Sequence, residues 1–137
     1  AHIYGPTMDL KNDNRVLCGF IRNKINKEPL EILSSGNDKR SFCHVSDFTS
    51  GLIKVLIKGK SGEKYNIGND DMYMSINKLS EIFRDIYPDI KINRRSVKNK
   101  KNHNKMLMSS KKLQALGWSP EINIEAGIIS TVNFYNI

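Results

Sequence analysis

The chain has 137 residues, with 22 Lys and Arg against 14 Asp and Glu, a formal net charge of +8 and 39% hydrophobic residues. That length carries one modest core, so a single domain over residues 1–137 is expected. The two cysteines, Cys18 and Cys43, follow neither a metal spacing nor a C-x-x-C pattern and are too few for a disulfide framework; they read as reduced, and the chain as cytoplasmic. No signal peptide is visible at the N-terminus, and no apolar run approaches the roughly 18 to 20 residues that span a bilayer.

In chain order, Tyr4-Gly5-Pro6 is followed by a polar, turn-forming stretch from Asp9 to Asn14. Val16, Leu17, Phe20, Ile21 and Ile25 then recur at helical spacing and describe an amphipathic helix, ended by Pro29. Leu30 to Leu33 alternates as a short strand. Gly36 supplies a tight turn, after which Phe42 and His44 alternate with Ser41, Cys43 and Val45 as a second strand headed by Arg40. Ser46 or Asp47 reads as an N-cap for a helix over about residues 47–58, with Phe48, Leu52, Val55 and Leu56 as its apolar stripe and Gly59 as its end.

Tyr65-Asn66-Ile67-Gly68 reads as a short buried strand. Ser75 caps a third helix whose face is Ile76, Leu79, Ile82, Phe83 and Ile86, stopping before Pro88. Ile90 to Ile92 is a candidate strand, and residues 94–105 form a basic loop without periodicity. Ser109 or Ser110 caps a short helix ending at Gly117, on which Trp118 packs back as core. Ile124, Ile128, Val132 and Tyr135 describe a last helix.

Two features of this order bear on binding. A guanidinium matches two phosphate oxygens at once, so Arg40 at the head of its strand is suited to hold a diphosphate, against the plainer reading of a surface arginine. Between Asp89 and Glu121 there is no acid but nine Lys and Arg: Lys91, Arg94, Arg95, Lys98, Lys100, Lys101, Lys105, Lys111 and Lys112. Three readings of that run stay open: a solvated loop, a phosphate contact, or a nucleic-acid-binding arm that would make the chain a small basic nucleic-acid-binding module. No aromatics interleave to stack bases, which weighs against the last. His2, His44 and His103 have no ligand spacing and no nucleophile partner, so neither a metal nor a triad is assigned to them.

Four segments fall in a fixed order: Tyr4-Gly5-Pro6, Gly36 to Asp47, Tyr65-Asn66-Ile67-Gly68, and Leu116-Gly117-Trp118-Ser119-Pro120. Together they resemble the NAD-dependent epimerase/dehydratase family of extended short-chain dehydrogenase/reductases acting on nucleotide sugars, in its C-terminal part. The resemblance implies an α/β fold: a substrate-binding lobe of about five helices and a few short strands, lacking the Rossmann core. The glycine-rich dinucleotide loop and the Tyr-x-x-x-Lys pair lie upstream of YGP in that family and are not found here. This chain is therefore expected to be a truncated, inactive piece of an enzyme that uses NAD or NADP to oxidise a sugar transiently at C4, with no cofactor bound to the piece itself. Its expected partners are a nucleotide-diphosphate sugar and the missing Rossmann domain. Self-association through exposed strand edges is a further expectation.

Residue by residue, the resemblance makes Arg40 the diphosphate contact. The family's usual Arg-Asp pair reads Arg40-Ser41 here, a departure that decarboxylase-like members share. Glu31, Ile32 and Leu33 match the strand lining the nucleobase, where an aromatic is common at the position of Leu33; for the Leu33 side chain itself core packing is the favoured reading. Arg15, in Asp13-Asn14-Arg15-Val16, looks like the DGRV segment of sugar-nucleotide decarboxylases and implies a phosphate contact, against a solvated first-turn arginine. Asn66 either reaches the substrate or closes its own turn. Arg94, Arg95 and Lys105 are candidates for a second phosphate-binding cation. Met108 replaces the aspartate that normally precedes the SKA helix of the family.

Overall fold

The computed structural model describes residues 1–95 and 108–136. Strand β1 (His2–Tyr4) leads through a loop to helix α1 (Val16–Ile25) and strand β2 (Leu30–Ile32), and the Gly36 turn carries the chain into β3 (Lys39–His44). β3 passes with no intervening residue into α2 (Val45–Lys58). A 3-10 turn (Asp70–Met72) precedes β4 (Tyr73–Ser75) and α3 (Ile76–Ile86); β5 (Ile92–Arg94), α4 (Lys111–Gln114) and α5 (Ile124–Tyr135) complete the described elements.

Two small sheets result. β3 is central in the first, pairing parallel with β1 and antiparallel with β4. β2 and β5 form the second, also parallel. A parallel pair cannot be joined by a hairpin, and α1 with β2 supplies the crossover between β1 and β3. The chain is thus α/β, with five helices and short strands among the described residues.

The core lies where α1, α3 and α5 meet the sheets. Leu17, Phe20 and Ile21 of α1, Leu79 and Phe83 of α3, Ile128 and Val132 of α5, and Phe42 of β3 are buried together. Phe20 and Phe83 meet edge to face with centroids 5.5 Å apart, the arrangement that ring quadrupoles favour. Each fully buried side chain of this size contributes roughly 1.5–3 kcal/mol of transfer free energy. α3 has the cap expected of it: the Ser75 hydroxyl accepts from Lys78 N at 3.1 Å. Tight packing also fixes the Gly36 turn, where φ is +73 and a Cβ would stand 2.2 Å from Asn77 Oδ1.

Four sequence expectations are corrected. His44, rather than Ser46 or Asp47, caps α2, its Nδ1 accepting from Ser46 N at 3.3 Å; the helix begins one residue after the strand, so Asp47 already sits in its first turn. Of the apolar stripe expected on α2, Phe48 and Val55 are half-buried while Leu52 and Leu56 are exposed. Asp47 and Gly51 are its buried residues, while Leu52, Ile53, Leu56 and Ile57 are exposed, Leu56 by 85%. Tyr65 to Gly68 is not part of either sheet, and β4, which the sequence did not suggest, takes the place beside β3. The strand sought at Ile90 to Ile92 begins at Ile92 and pairs with β2.

Asp47 locks the two halves of the chain together. Asp47 is buried, and its Oδ1 accepts from Glu121 N at 2.9 Å and its Oδ2 from Ile122 N at 3.0 Å. Nearby, Trp118 Nε1 donates to Ser50 Oγ at 2.9 Å, so the buried indole packs on α2. Replacing Asp47 with Ala removes the acceptor of two partly buried amides, and the expected loss is about 2 kcal/mol in a chemical denaturation series. A loss below about 1 kcal/mol would show that the carboxylate does not hold this junction.

Candidate functional site

A cavity of about 710 Å³ opens between the N-terminal half of α1, the end of β2, and the head of β3. Its walls include His2, Arg15, Phe20, Glu31, Ile32, Leu33 and Arg40. Five of the residues singled out from sequence, Arg15, Glu31, Ile32, Leu33 and Arg40, therefore share one wall system although they come from three separate segments. Its size is in the range of small-ligand sites, and its lining is mixed apolar and cationic.

The two arginines stand on different elements. Arg15 is the N-cap of α1, and its guanidinium grips the Asp13 carboxylate through Nε and Nη2, with Nε at 2.9 Å from Oδ2. Its side chain is 42% exposed. The Arg15 hydrogen bond holds the Asp13 carboxyl below its ordinary range, and the same contact raises Arg15. Arg40 Nη1 donates to the carbonyl of Lys39 at 2.8 Å, and its Nη2 lies 3.8 Å from Asp38 Oδ2. Part of each fork remains on the cavity.

Leu33 is 62% exposed and lies on the cavity wall, so its side chain does not take the core-packing role that the sequence left open. Beneath it β2 bonds to β5 through Leu30 N to Lys91 O and Arg95 N to Ile32 O. Alternation along a strand then turns the backbone polar groups of Glu31 and Leu33 to the opposite edge. The Glu31 carboxylate itself is held by Asn93 Nδ2 at 2.8 Å, with Arg95 Nε 4.0 Å away.

The remaining sequence candidates stand elsewhere. Asn66 is exposed, is not among the residues lining the cavity, and donates to the Ser109 carbonyl at 3.2 Å, a contact that ties down the segment before α4. Arg94 donates to Asn77 Oδ1 beside the Gly36 turn, and Arg95 is turned toward Glu31; neither lines the cavity. Lys105 and His103, with Lys98, Lys100 and Lys101 of the basic run, lie outside the described residues. His2, Arg22 and Asp38 line the cavity but were not picked out from sequence. The signal for His2 is register: parallel pairing sets it opposite Phe42, two residues along β3 from Arg40, and that pairing cannot be read from either strand alone.

The first half of the chain, residues 1–68, matches the family described as NAD dependent epimerase/dehydratase. Among curated proteins, UDP-glucuronic acid decarboxylase 6 of Arabidopsis thaliana is 32% identical over 127 residues, which is 91% of this chain and 36% of that protein. A UDP-glucose 4-epimerase from Thermotoga maritima, solved with UDP-glucose, superposes with a TM-score of 0.84 at 25% identity, covering 98% of this chain and 43% of that one. The Bordetella bronchiseptica enzyme WbmF, solved in complex with NAD+ and UDP, gives a TM-score of 0.80 at 25% identity with the same coverage. The chain is thus similar to nucleotide-sugar decarboxylases, dehydratases and epimerases, and spans about a third of the length of the curated relatives it matches.

A family of this kind implies a bound dinucleotide, whose pyrophosphate needs glycine-rich backbone at a strand-to-helix turn. The described junctions do not fit one. At Gly5, where φ is +145, the space a Cβ would take is filled by Val45 and His44, and β3 runs into α2 without a loop.

Behind the cavity, Cys43 is fully buried on β3, and desolvation pushes its thiol up to about 11. Cys18 on α1 is also buried and raised for the same first reason. Both are therefore expected to resist an aromatic disulfide reagent at mildly alkaline pH and to react fully once denaturant is added. Because the folded thiol keeps its proton above the ordinary thiol value of 9.0, the contribution of Cys43 to stability is full below that pH and is lost as pH climbs to about 11. Rapid labelling of Cys43 in the native protein would contradict this picture.

Proposed function

We propose that this chain is the nucleotide-sugar-binding portion of an NAD- or NADP-dependent epimerase, dehydratase or decarboxylase. The observation that carries the reading is the convergence of Arg15, Arg40 and Glu31 to Leu33 on one cavity. In this reading the diphosphate lies between the Arg15 and Arg40 forks, where charge-assisted, bidentate hydrogen bonds are strongest. The base rests on Leu33 and meets the free edge of β2 at Glu31. Arg94 and Arg95 border the same end of the molecule and steer the anion rather than grip it.

Hydride chemistry in this reading belongs to a dinucleotide-binding half seated against β1 and α2. Two features support that partner: among the described residues β1 pairs only with β3, which leaves its other edge open, and the outer face of α2 presents four large aliphatic side chains to solvent. Open edges and apolar faces of this kind normally have a cover. Among the described residues no helix is long and apolar enough to cross a membrane.

Titration of UDP-glucose into the chain is expected to give saturable binding that Arg40→Ala weakens by roughly 10- to 100-fold, the worth of a charge-assisted bond. Failure of UDP-glucose to bind, together with oligonucleotide binding that falls steeply with salt, would instead establish the nucleic-acid module. In sedimentation, the chain without its partner is expected to self-associate with rising concentration, and Leu56→Asp to shift it toward monomer. A strict monomer at high concentration would count against the open edge and the α2 face as docking surfaces.

A further inference from the structure

His2 is unused by the reading above, yet its ring lines the cavity with both phosphate-facing arginines. It stands on β1, edge to face against Phe42 of β3, with centroids 5.8 Å apart and an interplanar angle of 87°. Its Nδ1 is buried and has no hydrogen-bond partner. A half-buried imidazole with an unmet Nδ1, lining the same cavity as two guanidinium groups, is an arrangement that an anion would complete.

Resting on the nucleotide-sugar reading, we propose that His2 is a third ligand of the diphosphate beside Arg15 and Arg40, and that it takes up a proton from solvent when the anion binds. Without ligand, desolvation and then the charges of Arg15 and Arg40 keep the ring below its ordinary value and hence neutral. The N-terminal ammonium acts in the same direction, and Asp13 opposes it. Arg22, Glu31 and Asp38 are the other charged groups around the cavity. From neighbouring elements, Cys43 and His44 of β3 and Asp47 of α2 complete the titratable surroundings of the strand pair. The two negative charges of a diphosphate offset those of the two arginines and so remove their repulsion of the ring, and the bound state favours imidazolium.

The sign of the coupling follows. The folded, ligand-bound ring binds its proton more tightly than the free one, so affinity is fully developed below the free-state value and declines as pH rises through the bound-state value. The diphosphate of UDP-glucose is esterified at both ends and does not titrate in this range, so the pH dependence belongs to the protein.

UDP-glucose titrations between about pH 5 and 8, on the full chain with its histidines isotopically labelled for NMR, test the idea. The expected result is a decline in affinity of up to about tenfold per pH unit, the one-proton limit, accompanied by a shift of the His2 ring signals toward imidazolium. His2→Asn, which keeps a hydrogen-bond donor and removes the titration, is expected to bind with a flat pH profile. A ring that merely packs on Phe42 would give no such change of slope. If His2→Asn keeps the wild-type slope, or the ring signals stay neutral at saturation while Arg40→Ala still weakens binding, the proton role of His2 is overturned and the nucleotide-sugar reading stands. Absence of saturable UDP-glucose binding at every pH would overturn both.

Discussion

The structure hangs on the junction where β3 becomes α2. A strand that turns into a helix without a loop leaves the first-turn amides with few partners, and two side chains resolve this in different ways. His44 bends back to cap the helix, which frees Asp47 to reach across to the amides of Glu121 and Ile122. The carboxylate thereby fixes the segment that launches α5, and α5 in turn packs on α1 and α3. Because β3 is continuous with α2, the same lock sets the position of Arg40 at the far end of the strand.

The cavity is a product of this scaffold rather than of any one loop. α1 contributes its N-terminal end, β2 its last residues, and β3 its exposed head, while the buried ends of the same elements supply the core. Each wall is thus held by packing on its far side, which suits a site that must present charge at fixed spacing. α2 is different, since its buried positions are Asp47 and Gly51 and its aliphatic residues face outward. It contributes to this domain through hydrogen bonds and one close glycine contact, not through a hydrophobic stripe.

Much of this was legible in the sequence where the signal is local. The period of Ile76, Leu79, Ile82 and Phe83, with Ser75 before and Pro88 after, defines α3 in sequence and structure alike, and the same is true of α1 and α5. What periodicity cannot convey is which neighbour a face meets. The stripe on α2 is as regular as that on α3, yet its leucines stand exposed here, because apolar spacing marks a helix that wants a partner and does not say whether the partner is in the same domain. The site shows the same division. Arg40 and Arg15 could be proposed from motif and position, whereas His2 and Asp38 required the register of β1 on β3 and the path of the Gly36 turn. Asn66 drew attention for its place before a glycine, and it holds the Ser109 segment.

The pairing of Arg15 and of Arg40 with an acid two residues before it sets a threshold for what the proposed site admits. Asp13 occupies much of the Arg15 fork, and Asp38 stands close to that of Arg40. An incoming anion has to compete with these built-in carboxylates, so a single weak charge gains little by displacing either one. A ligand with two linked negative charges engages both forks in one event, and the second contact comes at the effective concentration set by the first. In the proposed reading the acids thus act as resident competitors, which would make the pocket selective for anions of a particular span and valence while muting the long-range pull of a chain that is otherwise strongly basic.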